Sequence, residues 1–159
     1  MALRIIKEVN RSVGYPVLSG NIVAGNLLML DTANSGSVLP WLHTNTSGQP
    51  FGLAAESNIF FPLQPANGEV AGQGFDYTNF NRGGLMSAFN NGGDFDLYND
   101  GRGYPYDATA TYAINAPVYA SHATDGLITS DVTSTVIVGY VVSYDVASMP
   151  THLEIKLAI

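Results

Sequence analysis

The sequence predicts an all-β domain, and three observations carry that prediction. Helical periodicity is nearly absent from the 159 residues. Glycine is abundant, with turn dipeptides at Asn67-Gly68, Asn91-Gly92, Asp100-Gly101 and Asp125-Gly126. These pairs supply the positive φ angles of two-residue hairpin turns. Between the turns run short apolar segments, the pattern of a small antiparallel barrel or sandwich.

Residues 1–14 read as an N-terminal arm or edge strand, with Arg4, Lys7 and Arg11 holding three of the six basic residues. Residues 15–159 read as one β domain. Ile22–Leu30 reads as two short strands about a Gly25-Asn26 turn. Gly84–Phe89 is the best helical candidate, but it is too short to be stable alone. Residues 72–106 alternate glycine, asparagine and aromatics, and read as an excursion of hairpins or ordered loops within the domain. So many aromatics argue against disorder. Val136–Val142 is a β-branched run suited to a central strand, with Gly139 marking a bulge or a close backbone approach. In His152–Ile159, Leu153, Ile155, Leu157 and Ile159 alternate with polar residues, the period of a half-buried strand. An internal echo joins Tyr15-Pro16-Val17-Leu18, leading to Gly52-Leu53-Ala54-Ala55, with Ala116-Pro117-Val118-Tyr119, leading to Gly139-Tyr140-Val141-Val142.

Composition narrows the function. The net charge of −7 disfavours nucleic acid as a partner, because like charge repels phosphate. Cysteine is absent, which excludes disulfides and thiolate metal sites. Charge interrupts the N-terminus too early for a signal sequence, and no apolar run has membrane-spanning character. The chain reads as made and kept in a cytoplasm, or assembled there into a particle, with no membrane partner. Only 12% of residues are charged and 46% are apolar, a balance that suggests a surface partly covered by something else.

The chemistry-bearing residues form no catalytic or metal pattern. His43, His122 and His152 lack ligand spacing. No Gly-x-Ser-x-Gly elbow occurs. Asp94–Gly101 resembles a calcium loop, but Tyr98 stands where an oxygen ligand is required. Asp94 and Asp96 instead suit the wet face of a strand whose Phe95 and Leu97 point inward. Their spacing would also suit a glycosidase carboxylate pair, a pattern common on solvated strands. Arg82-Gly83-Gly84 is single, so it is no RNA-binding tract, and the Asn10 and Asn45 sequons carry little without secretion. The expectation is a non-enzyme with no cofactor and no metal.

Ser19–Leu28, Gly48–Ala54 and the C-terminal set Ala116–Ser121, Asp125–Thr129, Val138–Val142 and Leu153–Leu157 resemble the glycine-led motifs of phage capsid decoration, or cement, proteins. The resemblance covers about two-thirds of the chain and leaves out the middle excursion. It implies a small β-barrel or β-tulip fold, a homotrimer on the outer surface of a virion capsid, and the major capsid protein as partner. The protein would stabilise the head shell mechanically. Leu3, Arg4, Ile5, Ile6, Lys7 and Val9 of the arm are the candidate capsid-docking residues. Phe95, Tyr98, Tyr104 and Tyr106 are candidate interface aromatics. The alternative is a carbohydrate-binding β-sandwich, a free lectin or virion receptor module, with those aromatics as its stacking platform.

Overall fold

The structure, a computed structural model, describes residues 3–17, 20–58 and 85–159, with residues 4–13 and 85 described through their backbone. Those residues are all-β, without helix. The strands are β1 (Leu3–Pro16), β2 (Leu27–Leu30), β3 (Val38–Pro40), β4 (Gly52–Ala54), β5 (Leu85–Tyr98), β6 (Pro117–Ala120), β7 (Ile128–Thr129), β8 (Ile137–Tyr144) and β9 (His152–Leu157). They form one antiparallel sheet in the order β3-β2-β4-β5-β9-β8-β6-β7, with β1 on β5. The sheet curls into a half-barrel.

β5 organises the molecule. β1 pairs with it from Leu3↔Leu97 to Pro16↔Leu85. The first part of β5 also pairs with β4, and its second part pairs with β9. Between the two parts, Asn91, Gly92 and Gly93 take φ of 60°, 95° and 110°. Sequence reading expects a hairpin turn at Asn91-Gly92. The strand instead bends there and continues, because β1 runs alongside both parts and Gly92 N–H donates to Ile159 O. Residues 85–98 are therefore the centre of the sheet rather than an excursion, and Leu85–Phe89 is strand rather than helix. Residues 72–84 lie outside the described residues.

The two halves repeat one another. Val17 bridges Val38 in parallel, and Tyr106 bridges Ile128 in parallel. Leu28 faces Gly52, and Val118 faces Gly139. Gly25 N–H donates to Ala54 O, and Asn115 N–H donates to Val141 O. Asp31 carboxylate accepts from Ala33 N–H and Asn34 N–H, where Ser121 Oγ accepts from Ala123 N–H and Thr124 N–H. The counterpart of Gly14-Tyr15-Pro16-Val17 is thus Gly103-Tyr104-Pro105-Tyr106. The echo is real, but its entry segment lies before the second hairpin rather than at Ala116–Tyr119.

Each half buries the same positions. Val17, Leu28, Val38, Ala54 and Ala88 form the core of the first half. Tyr106, Val118, Ile128, Val141 and Ile155 occupy the equivalent places in the second. The two halves differ on the opposite face. Leu27, Leu53 and Phe89 are buried in the cluster that contains the second half, with Phe89 and Phe95 rings 5.1 Å apart. The second half therefore sits on the outer face of the first.

Candidate functional site

The contact between the halves is a turn in a slot. Gly126, with φ of 73°, accepts at its carbonyl from Leu27 N–H (2.8 Å) and Asn26 Nδ2 (3.2 Å), and donates its N–H to Trp41 O (2.8 Å). Asn26 is fixed for this by its Oδ1, which accepts from Val23 N–H. Beside the turn, Asp125 carboxylate accepts from His43 N–H and meets His43 Nδ1 at 2.7 Å. The equivalent turn of the first half, at Gly36, is exposed, and a Cβ there would meet nothing within 4 Å.

The face that the slot belongs to is covered in the first half and bare in the second. Ala24 and Leu53 are 2% and 0% exposed; their counterparts Ile114 and Tyr140 are 56% and 44% exposed. Val142 projects beside Tyr140 on β8 and is also exposed. The second half does not reproduce the slot itself. Pro117 stands in the place of Leu27 and has no N–H, and Ala116 stands in the place of Asn26 and has no amide. This face therefore offers exposed apolar area and no slot for an inserted turn.

A second feature is a cleft of about 510 Å³ beneath the loop that joins β3 to β4. Met29, Trp41, Phe51 and Ile159 give it apolar walls, and Asn45, Gln49, Asn90 and Asn91 bring amides to it. Among the described residues no charged side chain lines it. Thr135 Oγ–H donates to Thr46 O and ties the loop to the second half. Trp41 is buried at 2% exposure, yet its Nε1–H has no acceptor among the described residues. Burying an unpaired donor costs about 1–3 kcal/mol.

A third is polar. His152 Nδ1 lies 3.2 Å from Asp96 Oδ2, and Tyr98 stacks on the imidazole at 5.2 Å. Ser143 Oγ–H donates to Glu154. Asp145 accepts from the Thr151 hydroxyl and from the backbone N–H groups of Thr151 and His152, and these bonds hold its carboxyl well below the usual range. Ser143 Oγ–H is thus directed to a carboxylate and not to an imidazole. Among the described residues no three His, Cys, Asp or Glu side chains converge to hold a metal.

The sequence-selected residues scatter over these features. Leu3 is fully buried in the core. Arg4, Ile5 and Lys7 lie on β1 opposite Asp96, Phe95 and Asp94, and Ile6 and Val9 fall at register irregularities. Phe95 and Tyr106 are fully buried, so their rings pack the core and are closed to a partner. Tyr106 hydroxyl donates to Pro150 O at 2.9 Å. Tyr98 and Tyr104 are half-buried. Asp94 and Asp96 share a side of β5 opposite to buried Phe95 and Leu97, though Asp96 is itself buried. The histidines separate, each beside its own carboxylate: His43 at Asp125, His122 at Asp131 and His152 at Asp96.

The chain matches no family model, no curated protein and no solved structure. Its geometry stands by itself. Sequence reasoning passed over Trp41, Ile114, Tyr140 and Val142. The signal for Trp41 was a lone tryptophan followed by an amide- and glycine-rich turn. Tyr140 and Val142 had none, because exposure of one face of β8 follows only from which half covers the other.

Proposed function

We propose that this protein is a structural component of a virion, a decoration protein that binds the outer surface of a phage capsid and stabilises the shell. The observation that carries the reading is the bare apolar face at Ile114, Tyr140 and Val142, whose counterpart in the first half is covered by a folded β unit. Exposed apolar surface of this kind favours a protein partner. The resemblance of the glycine-led motifs to cement proteins names that partner as the major capsid protein, with a homotrimer as the bound form. β1 adds a second element. Among the described residues its only partner strand is β5, and a strand with an open edge takes a further strand from a neighbour by edge addition.

Co-sedimentation with empty, expanded shells of the encoding phage tests this. Binding should saturate at a fixed copy number per capsomer. Tyr140→Asp should weaken it while leaving thermal unfolding unchanged. Absence of binding to expanded shells would overturn the reading.

A further inference from the structure

The hairpin tip between β8 and β9 carries an apolar side chain that the fold does not use. We propose that Met149, at this tip, anchors the protein by inserting into an apolar pocket on the outer surface of the shell. The inference rests on the shell-binding reading and names the residue that anchors it.

Three observations support it. First, Met149 holds φ of 54°. That region is unfavourable for a residue with a Cβ, and Gly and Asn suit it best. Among the described residues, the other non-glycine positions with positive φ are Asn91 and Asn115. Pro150 follows Met149, and a residue before proline favours extended backbone, which adds to the strain. Second, the side chain stands in solvent. Met149 is 63% exposed and Val146, on the same tip, is 55% exposed. A long apolar side chain at a strained, exposed position adds nothing to the core, so its use lies in a contact outside the chain. Third, the tip is held rigid. Asp145 accepts from the Thr151 hydroxyl and from the N–H groups of Thr151 (2.9 Å) and His152 (3.1 Å). Met149 N–H donates to Ala110 O, Tyr112 N–H donates to Ala147 O, and Thr111 pairs with Ser148. The Pro150 carbonyl accepts from the Tyr106 hydroxyl. A knob fixed before binding loses little conformational freedom on entering a pocket. Methionine, unbranched and polarizable, adapts to an irregular one.

The same bonds join the tip to the bare face. Thr111 and Tyr112 hold the tip, and Ile114, further along the same segment, belongs to the face. A partner seated on the face can therefore meet the tip as well. Other occupants fit less well. Two exposed aliphatic side chains supply far less than the roughly 800 Å² per partner of a standard protein pair, so the tip anchors a larger contact and forms no dimer by itself. Residues 107–116 and 145–151 include Asp107 and Asp145 and no Lys or Arg, which disfavours an anionic lipid surface.

The test is co-sedimentation of the full chain with empty, expanded shells, comparing the wild type with Met149→Gly, Met149→Leu and Val146→Ser. Glycine relieves the backbone and removes the side chain. Met149→Gly should therefore weaken binding about tenfold without lowering the melting temperature. Met149→Leu keeps an apolar side chain of similar volume and should bind nearly as the wild type does. Val146→Ser should weaken binding with unchanged melting. Wild-type binding that Met149→Gly leaves intact would overturn the proposal while the shell-binding reading stands. Failure of the wild type to bind shells would overturn both. A Met149→Gly variant that melts lower would give the tip a structural role and also overturn the proposal. So would sedimentation with phosphatidylglycerol vesicles that is lost on Met149→Gly, which would assign the tip to a membrane.

Discussion

Gly52 and Gly139 hold the same position in the two halves: each lies flat against a carbonyl oxygen of the neighbouring strand, Phe89 O for Gly52 and Lys156 O for Gly139. A Cβ at either would collide with backbone. Backbone cannot rotate away as a side chain can, so the strand pair must separate. Gly139→Ala should therefore destabilise the protein by about 1–3 kcal/mol. Gly52→Ala should do the same. Chemical denaturation followed by circular dichroism measures both, and a cost near zero for either would mean that the sheet yields at that point.

Gly126 and Gly36 separate backbone strain from docking. Both have positive φ, 73° and 84°, so an alanine at either incurs the left-handed penalty of about 1–2 kcal/mol. A Cβ at Gly36 meets nothing, whereas one at Gly126 lies 3.3 Å from both Asn26 and Pro40. Gly126→Ala should cost about 1 kcal/mol more than Gly36→Ala. Equal costs in parallel unfolding experiments would show that the turn is not tightly held in its slot.

Acid should destabilise the fold through exposed carboxylates. The carboxyls of Asp31, Asp131 and Asp145 are lowered from 3.8, by hydrogen bonds led by Asn34, the backbone of Thr133 and the hydroxyl of Thr151 respectively. A lowered folded value means that the unfolded chain binds more protons. The stabilisation is present above pH 3.8 and is lost as pH falls through the folded values. Asp145→Ala should flatten this acid limb and lower stability at neutral pH. Melting temperatures between neutral pH and strong acid check the slope.

Alkali should act through two core phenols. Burial raises Tyr106 and Tyr112 well above 10, and their hydroxyls donate to Pro150 O and Asp107 O. Here the folded state holds the proton more tightly. The associated stability is intact below pH 10 and is lost as pH rises towards the folded values. In a phenolate absorbance titration, these two groups should ionise only together with loss of the fold. Tyr106→Phe should remove one of them and cost about 1–2 kcal/mol through the unpaired Pro150 carbonyl.

The all-β class, the terminal strand and the close approach at Gly139 were legible in the sequence because each is local. Leu153, Ile155 and Leu157 alternate, and they are buried as that alternation requires. The path of residues 85–98 was not legible. Asn91-Gly92 satisfies the chemistry of a hairpin turn, yet a strand flanked on one side by all of β1 gains more by bending than by reversing. The repeat was half legible for a similar reason. Gly-Tyr-Pro at 14–16 and 103–105 is a visible match, but Ala116-Pro117-Val118 imitates it locally, and only the parallel bridges at Val38 and Ile128 decide between them. The candidate sites depended most on tertiary structure. Phe95 and Tyr106 look like contact residues in a glycine-rich stretch and are core. Trp41 and Tyr140 acquire their meaning from what the second half covers and what it leaves uncovered.

The sharing of β5 also bears on how the chain acquires its structure. The first half takes its closing strand from residues 85–90, and the second half takes its opening strand from the same element. During synthesis the first half cannot complete its part of the sheet until β5 has left the ribosome, and the far part of β5 then waits for β9, some fifty residues later in the chain. Until β9 arrives, one edge of the longest strand pairing is unprotected against association with other nascent chains. Because β5 is a single continuous strand, the completed halves cannot melt one at a time, and denaturation should trace one cooperative transition.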